Sequence, residues 1–277
     1  MIQTRVFLVG CPRSGTTYLQ SLLAAHPAVT SLPETHFFRA VTNNRRAHLG
    51  LASPKGRERH RLRQLLATLQ RPDLAPLIPR FSLRLGAYIG AFQAILDKLA
   101  EEQGNSIWVE KTPDHLHYIR HIERYIPAVK FVHLTRQGED TVASLYAVAR
   151  QHPELWGGSA VVDVDWCIAR WNHDIRLTEA CLGRSNHYLV QYEQLQAQTR
   201  TTLQALCDFL GLTYAPEMQA GQASAAEALI LSREPWKAPV KEGPATRAPR
   251  KFETVFTPDV QAYVQSRLVT PIWSAQA

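Results

Sequence analysis

Short apolar runs punctuate the chain at Val6–Val9, Ile107–Val109, Lys130–Thr135 and His187–Gln191. Each is too short for a buried helix and is rich in β-branched or aromatic residues, so each predicts a strand. The first run passes through Gly10–Thr17 into a helical pattern over Tyr18–Ala25, and a further short strand is expected around Val29. The second run leads to Glu110-Lys-Thr-Pro113, and the third to Arg136 and an amphipathic helix around Asp140 to Val148. The fourth precedes Tyr192-Glu193. Strands separated by helix-length segments predict the α/β class, a central parallel sheet flanked by helices on both faces.

Between Phe38 and Gly104 no comparable strand pattern occurs. That stretch, about 39–104, predicts a helical insertion after the first βα unit, with helical patterns at Arg57–Arg63 and Tyr88–Glu102. Its arginines have no interleaved aromatic residues to stack bases, so they predict a solvated helix face and no nucleic-acid partner. The segment from about 232 to 252 is rich in Pro, Lys and Arg and lacks periodicity, as a lid-like loop does, and a short helix is expected near Pro258–Leu268. The whole of 1–277 is expected to form a single domain.

Composition narrows the class. With 45% hydrophobic residues the chain can bury a sizeable core. It has no apolar run of about 18 residues, and no basic stretch with a cleavage site precedes the first strand, so no membrane partner and a cytoplasmic location are expected. Cys11, Cys167, Cys181 and Cys207 are widely spaced and form no Cys-x-x-Cys pair, which fits reduced thiols. A net charge of +7 suits an anionic ligand and equally a merely basic surface.

Gly10-x-x-x-x-Gly15-Thr16-Thr17 carries the most specific chemistry. Its spacing is that of a phosphate loop, in which backbone N–H groups and a helix N-terminus wrap an anionic oxygen cluster. Nucleoside triphosphatases place a lysine where Thr16 stands, and here Arg13 is the loop's charge, which disfavours a P-loop kinase.

Pro12-Arg-Ser-Gly-Thr-Thr17 resembles, letter for letter, the 5′-phosphosulfate loop of the sulfotransferases that use 3′-phosphoadenosine 5′-phosphosulfate (PAPS). The closest motifs are those of the tyrosylprotein, polyketide and bacterial branches. The resemblance implies a P-loop NTPase-like fold, PAPS as donor, 3′,5′-adenosine bisphosphate (PAP) as product, and no metal. It also implies that Arg13, Ser14, Gly15, Thr16 and Thr17 hold the phosphosulfate. Arg136 and Ser144, eight residues apart after the third run, match the family's ligands of the 3′-phosphate, and Tyr192 matches a tyrosine near the nucleotide. On the residues alone, Arg136 could equally pair with Glu139 or Asp140.

Sulfuryl transfer needs a base for the acceptor hydroxyl and a cation where negative charge develops. Glu34, in Pro33-Glu-Thr-His36, matches the family's base, with His36 as second choice. Lys111 matches a lysine that stabilises the leaving phosphate, a task Arg13 would share; on the residues alone it also reads as a strand-end charge beside Glu110 or Asp114. The family's usual C-terminal Arg-Lys-Gly signature is absent, leaving Trp236-Lys237 and Arg250-Lys251 as candidates to cover the nucleotide. The expected function is sulfuryl transfer from PAPS to a hydroxyl of a small molecule or peptide. The alternatives are a non-catalytic polyanion binder and, less favoured, a P-loop kinase.

Overall fold

The computed structural model describes residues 2–42, 45–153, 162–231, 234–243 and 250–273. Strand β1 (Thr4–Gly10) turns into helix α1 (Thr16–Ala24) and then β2 (Val29–Leu32). Helices α2 (Phe37–Thr42), α3 (Arg45–His48), α4 (Arg57–Thr68) and α5 (Leu85–Glu102) precede β3 (Ile107–Lys111). Next come α6 (Ile119–Tyr125), β4 (Val129–Thr135), α7 (Gly138–Gln151), α8 (Val164–Glu179) and β5 (His187–Gln191). The chain then runs through α9 (Tyr192–Ala197), α10 (Thr199–Leu210), α11 (Glu217–Ala220) and α12 (Gln222–Leu229), and later α13 (Lys251–Val255) and α14 (Pro258–Arg267).

All strand pairs are parallel, in the order β2-β3-β1-β4-β5. The apolar runs are nearly continuous because both faces of the sheet are covered. Val6, Leu8, Val109, Val132 and Leu134 pack with residues of α1 and α10. Phe7, Val9, Trp108 and Phe131 point the other way, into a core shared with the insertion helices. There Phe37 stacks on Phe92 at 4.3 Å between ring centroids, tying α2 to α5.

The expected parallel sheet and helical insertion are both present, with local differences. The insertion starts at Phe37, inside the apolar core. Lys111 does not follow its strand but ends it, fully buried. Part of the expected C-terminal loop is a 3₁₀ helix over Pro235–Glu242, a short form that leaves no apolar period to read; residues 232–233 and 244–249 lie outside those described. Among the described residues no helix is long and apolar enough to cross a membrane.

The connection leaving β1 runs to one side of the sheet and the connection leaving β4 to the other. The carboxyl ends of β1 and β4 therefore form the crevice where open α/β sheets bind ligands. Gly10 ends β1 there with φ 153°, and a Cβ on it would lie 2.2 Å from the Leu134 carbonyl oxygen, so only glycine fits.

One residue before Leu134 on β4, the buried His133 Nε2 lies 2.8 Å from His187 Nδ1 of β5. His133 Nδ1 meets Thr178 Oγ1 at 3.3 Å, and His187 Nε2 meets Glu123 Oε1 at 3.3 Å. Burial, then the neighbouring His187 and Arg184, push His133 down to about 3 from an ordinary 6.5. Neutral His133 is therefore part of the fold. Stability from this pair is complete above pH about 6.5 and falls progressively between 6.5 and about 3, as the unfolded chain takes up the proton that the folded one refuses. Urea titrations at stepped pH should show that slope, and His133→Asn should flatten it.

Candidate active site

The phosphate loop leaves β1 and enters α1 at Gly15, whose φ of 96° is left-handed. A Cβ on Gly15 would also lie 2.5 Å from the Tyr192 ring, so this position is glycine for two reasons. Arg13 holds φ 73° and His36 φ 48°, two of the four non-glycine residues with positive φ among those described. Such conformations cost free energy and persist where surrounding contacts enforce them. Ser14 Oγ is buried and has no hydrogen-bond partner among the described residues. A buried hydroxyl in that state is costly unless a ligand completes it, and the adjoining N-terminus of α1 favours an anion.

The sheet ends bring the other candidates to the loop. Arg13 Nε donates to Ser144 Oγ of α7 at 3.3 Å, and Arg13 Nη2 donates to the Trp236 carbonyl at 3.5 Å. The Arg136 guanidinium lies 4.8 Å over the Tyr192 ring and pairs with Asp140 at 3.3 Å, so the ion pair open on the residues alone does form. Burial and then Arg136 lower the Arg13 pKa; burial, then Arg13 and Arg136, lower that of Lys251. Three cations thus repel one another around the crevice, a field that an anionic ligand would relieve.

On the other side of the loop stands Glu34. Lys111 Nζ pairs with Glu34 Oε1 and donates to Thr17 Oγ1 at 3.1 Å, so a β3 lysine reaches the loop that lacks one of its own. The alternative pairing of Lys111 with Glu110 or Asp114 is not what the structure holds. Lys237 Nζ, from the C-terminal 3₁₀ helix, donates to the same Glu34 oxygen at 2.7 Å and to Glu234 Oε1 at 2.6 Å. His36 Nε2 lies 3.3 Å from Glu34 Oε2. Burial opposes ionisation of Glu34, yet Lys111, then Lys237 and His36, outweigh it and hold the carboxyl well below the usual range. Burial lowers the pKa values of Lys111 and His36, and the attraction of Glu34 only partly restores them.

Of the candidates to cover the nucleotide, Lys237 pairs with Glu34 and the Trp236 carbonyl meets Arg13. Arg61 is the residue that sequence reasoning misplaced. It leaves the expected solvated arginine face of α4 and donates to the Thr35 carbonyl. A cavity of about 300 Å³ opens between Pro33, Glu34 and Thr35 on one side and Arg61, Gln64 and Leu65 on the other. The one signal available was spacing: Leu62, Leu65 and Leu66 fix the buried side of α4, and Arg61 adjoins it.

Beneath Glu34 a buried carboxylate fastens its loop. Glu110 Oε1 accepts from Thr35 Oγ1 at 2.7 Å and from Thr112 Oγ1 at 2.6 Å. Glu110 Oε2 lies 2.8 Å from His115 Nδ1. The Phe38 backbone N–H donates to His115 Nε2 at 3.2 Å, so the ring proton sits on Nδ1 and is donated to Glu110. Thr112 Oγ1 in turn accepts from the His36 backbone N–H at 3.2 Å. Residues 35, 36 and 38 are thereby buckled to the end of β3 beside Lys111.

Comparison with known proteins places these features in a family. The family model described as "Sulfotransferase family" matches residues 5–216. A protein-tyrosine sulfotransferase 2 from Gallus gallus is 30% identical over 213 residues, covering 76% of this chain and 51% of the relative. The chain spans about half the length of the curated relatives it matches. Among solved structures, the sulfotransferase domain from the curacin biosynthetic pathway superposes with TM-score 0.56 at 20% identity, covering 96% of this chain and 98% of that one. The sulfotransferase domain of the Synechococcus olefin synthase gives 0.55 at 20% identity, covering 97% and 96%. Both likenesses are of fold.

Glu110→Gln replaces one accepting oxygen with an amide NH₂, which faces a donor whichever way the amide lies: His115 Nδ1–H on one side, the Thr35 and Thr112 donors on the other. A loss of about 1–3 kcal/mol is expected, read as a lower urea midpoint at unchanged m-value.

Proposed function

The chain belongs to the sulfotransferase family, and from that premise we propose that it transfers a sulfuryl group from PAPS to an acceptor hydroxyl, with Glu34 as base. The observation that carries the reading is the Glu34–Lys111–Thr17 bridge, which sets a carboxylate and an ammonium against one phosphate loop. The donor would lie along Arg13 to Thr17, with Arg136 and Ser144 at its 3′-phosphate and Tyr192 beside the nucleotide. The unpartnered Ser14 hydroxyl and the mutually repelling Arg13, Arg136 and Lys251 fit such a polyanion. Bound PAPS supplies the activated sulfuryl group, and no metal enters the reading.

In the transfer, the bond from acceptor oxygen to sulfur forms as the bond from sulfur to the 5′-phosphate oxygen breaks. Glu34 takes the acceptor proton. The electron pair of the broken bond stays on the leaving phosphate, whose charge Lys111 and Arg13 stabilise. Glu34 held by two lysines is a weak base. Anionic donor oxygens compete for those ammonium groups, and each one drawn away raises the carboxylate's affinity for a proton. His36 Nε2, 3.3 Å from the second Glu34 oxygen, orients it.

The acceptor would enter by the cavity between Glu34 and Arg61. The relative from Gallus gallus is named for protein tyrosine, so a peptide phenol is the first acceptor to test, with small-molecule phenols and alcohols beside it. The insertion and the C-terminal segment are read as parts of one domain, and the four buried free cysteines support a cytoplasmic setting.

Calorimetry with PAP is expected to give micromolar-range binding without metal, a loss of at least about tenfold in Arg136→Ala, and no comparable binding of ATP with magnesium. Glu34→Gln should keep PAP binding while turnover of an accepted phenol falls by roughly 10²–10⁴-fold. Equal binding of ATP would return the kinase reading, and turnover indifferent to Glu34 would remove the base.

A further inference from the structure

The positive charge of this protein is concentrated in one place. Residues 45–84 hold ten Lys and Arg against two Asp and Glu, a net +8, whereas the whole chain carries +7, so the remainder sums to −1. Arg61 faces the cavity, and Arg71 pairs with Asp73 and Glu102 at 2.6 and 2.7 Å. Arg45, Arg46, Arg57, Arg63, Arg80 and Arg84 are exposed.

A merely solvated basic face has no need of large apolar side chains, yet this one displays them. Six large hydrophobic residues are exposed among those described, and four of them lie here: Leu49 at 75%, Leu77 at 39%, Phe81 at 79% and Leu83 at 60%. The segments bearing Leu49 and Leu83 are paired. The Ala52 N–H donates to the Leu83 carbonyl at 2.8 Å and the Leu85 N–H to the Gly50 carbonyl at 2.9 Å. Arg59 Nη1 donates to the Arg80 carbonyl at 2.7 Å, fastening α4 to the same loop. Apolar and cationic side chains therefore share one edge of the insertion, with Arg80 and Arg84 flanking Phe81 and Leu83.

A soluble polyanion would use the cations and leave phenyl and isobutyl groups in water. An anionic bilayer uses both, the guanidinium groups at the lipid headgroups and the apolar side chains in the acyl boundary below them. We propose that this edge docks the protein on an anionic membrane surface, with Phe81, Leu83 and Leu49 entering the interface and Arg80 and Arg84 gripping the headgroups. The attachment is peripheral, spans nothing, and replaces the expectation of no membrane partner. It is independent of the sulfotransferase reading.

The full chain is sedimented with vesicles of phosphatidylcholine alone and of phosphatidylcholine mixed with an equal part of phosphatidylglycerol. Binding is expected to the anionic vesicles only and should weaken steeply with salt. Arg80→Gln with Arg84→Gln should weaken it on the order of thirty-fold. Phe81→Ser with Leu83→Ser should weaken it by about tenfold or more, while leaving binding to heparin, the soluble polyanion, unchanged. Thermal melts check that the variants fold. As a second readout, Leu83→Cys carrying an environment-sensitive dye should shift to the blue on anionic vesicles, the native cysteines being buried. No binding to anionic vesicles, equal binding to neutral ones, or vesicle binding indifferent to Phe81 and Leu83 overturns the proposal. Heparin binding without vesicle binding would make the edge a soluble-polyanion site instead.

Discussion

The geometry of the site turns on one buried ion pair, Lys111 with Glu34. Lys111 ends a central strand with its side chain almost wholly enclosed, and an ammonium so placed is tolerated only with a matched counter-charge. Glu34 supplies that charge from the loop after β2, and Thr17 supplies a further acceptor from the start of α1. Three segments distant in sequence are thereby held to one point. The pair adds little to stability beyond offsetting the desolvation of its own members, but it fixes where the loop after β2 sits relative to the phosphate loop.

The buckle around Glu110 does the complementary work from below. Glu34 and Lys111 face the crevice, whereas Glu110 points into the protein and is satisfied by two hydroxyls and an imidazole N–H. The alternation of a β-strand explains the division, since adjacent residues of β3 address opposite faces. One acidic and one basic residue, consecutive in sequence, serve the scaffold and the chemistry respectively.

Much of this was legible before any coordinates. β1, the phosphate loop and α1 stood out because the loop has fixed glycine spacing and the strand is covered on both faces. β4 and β5 announced themselves by apolar runs, whereas Arg136 and Ser144 stood out only through the resemblance to the sulfotransferases, the residues alone leaving Arg136 open to an ion pair with Glu139 or Asp140. Lys237 was not legible as a partner of Glu34. It lies about two hundred positions away on a short proline-flanked 3₁₀ helix, a form with no periodic signature. Arg61 was hidden by its neighbours, because in a run of arginines composition cannot say which one turns inward. The Glu110 network was invisible for a similar reason: a carboxylate at a strand end reads as solvent-facing until the His and Thr residues that surround it are known.

Lys237 also bears on how the chain could be divided. The family match ends at residue 216, so a protein trimmed to that boundary would keep the phosphate loop, Glu34, Lys111, Arg136 and Tyr192. It would nevertheless discard one of the two ammonium groups that neutralise Glu34 and the Trp236 carbonyl that meets Arg13. Motif content and electrostatic completeness thus have different borders here. For anyone moving this domain into a fusion or grafting its site elsewhere, the smallest transferable unit is set by the second border.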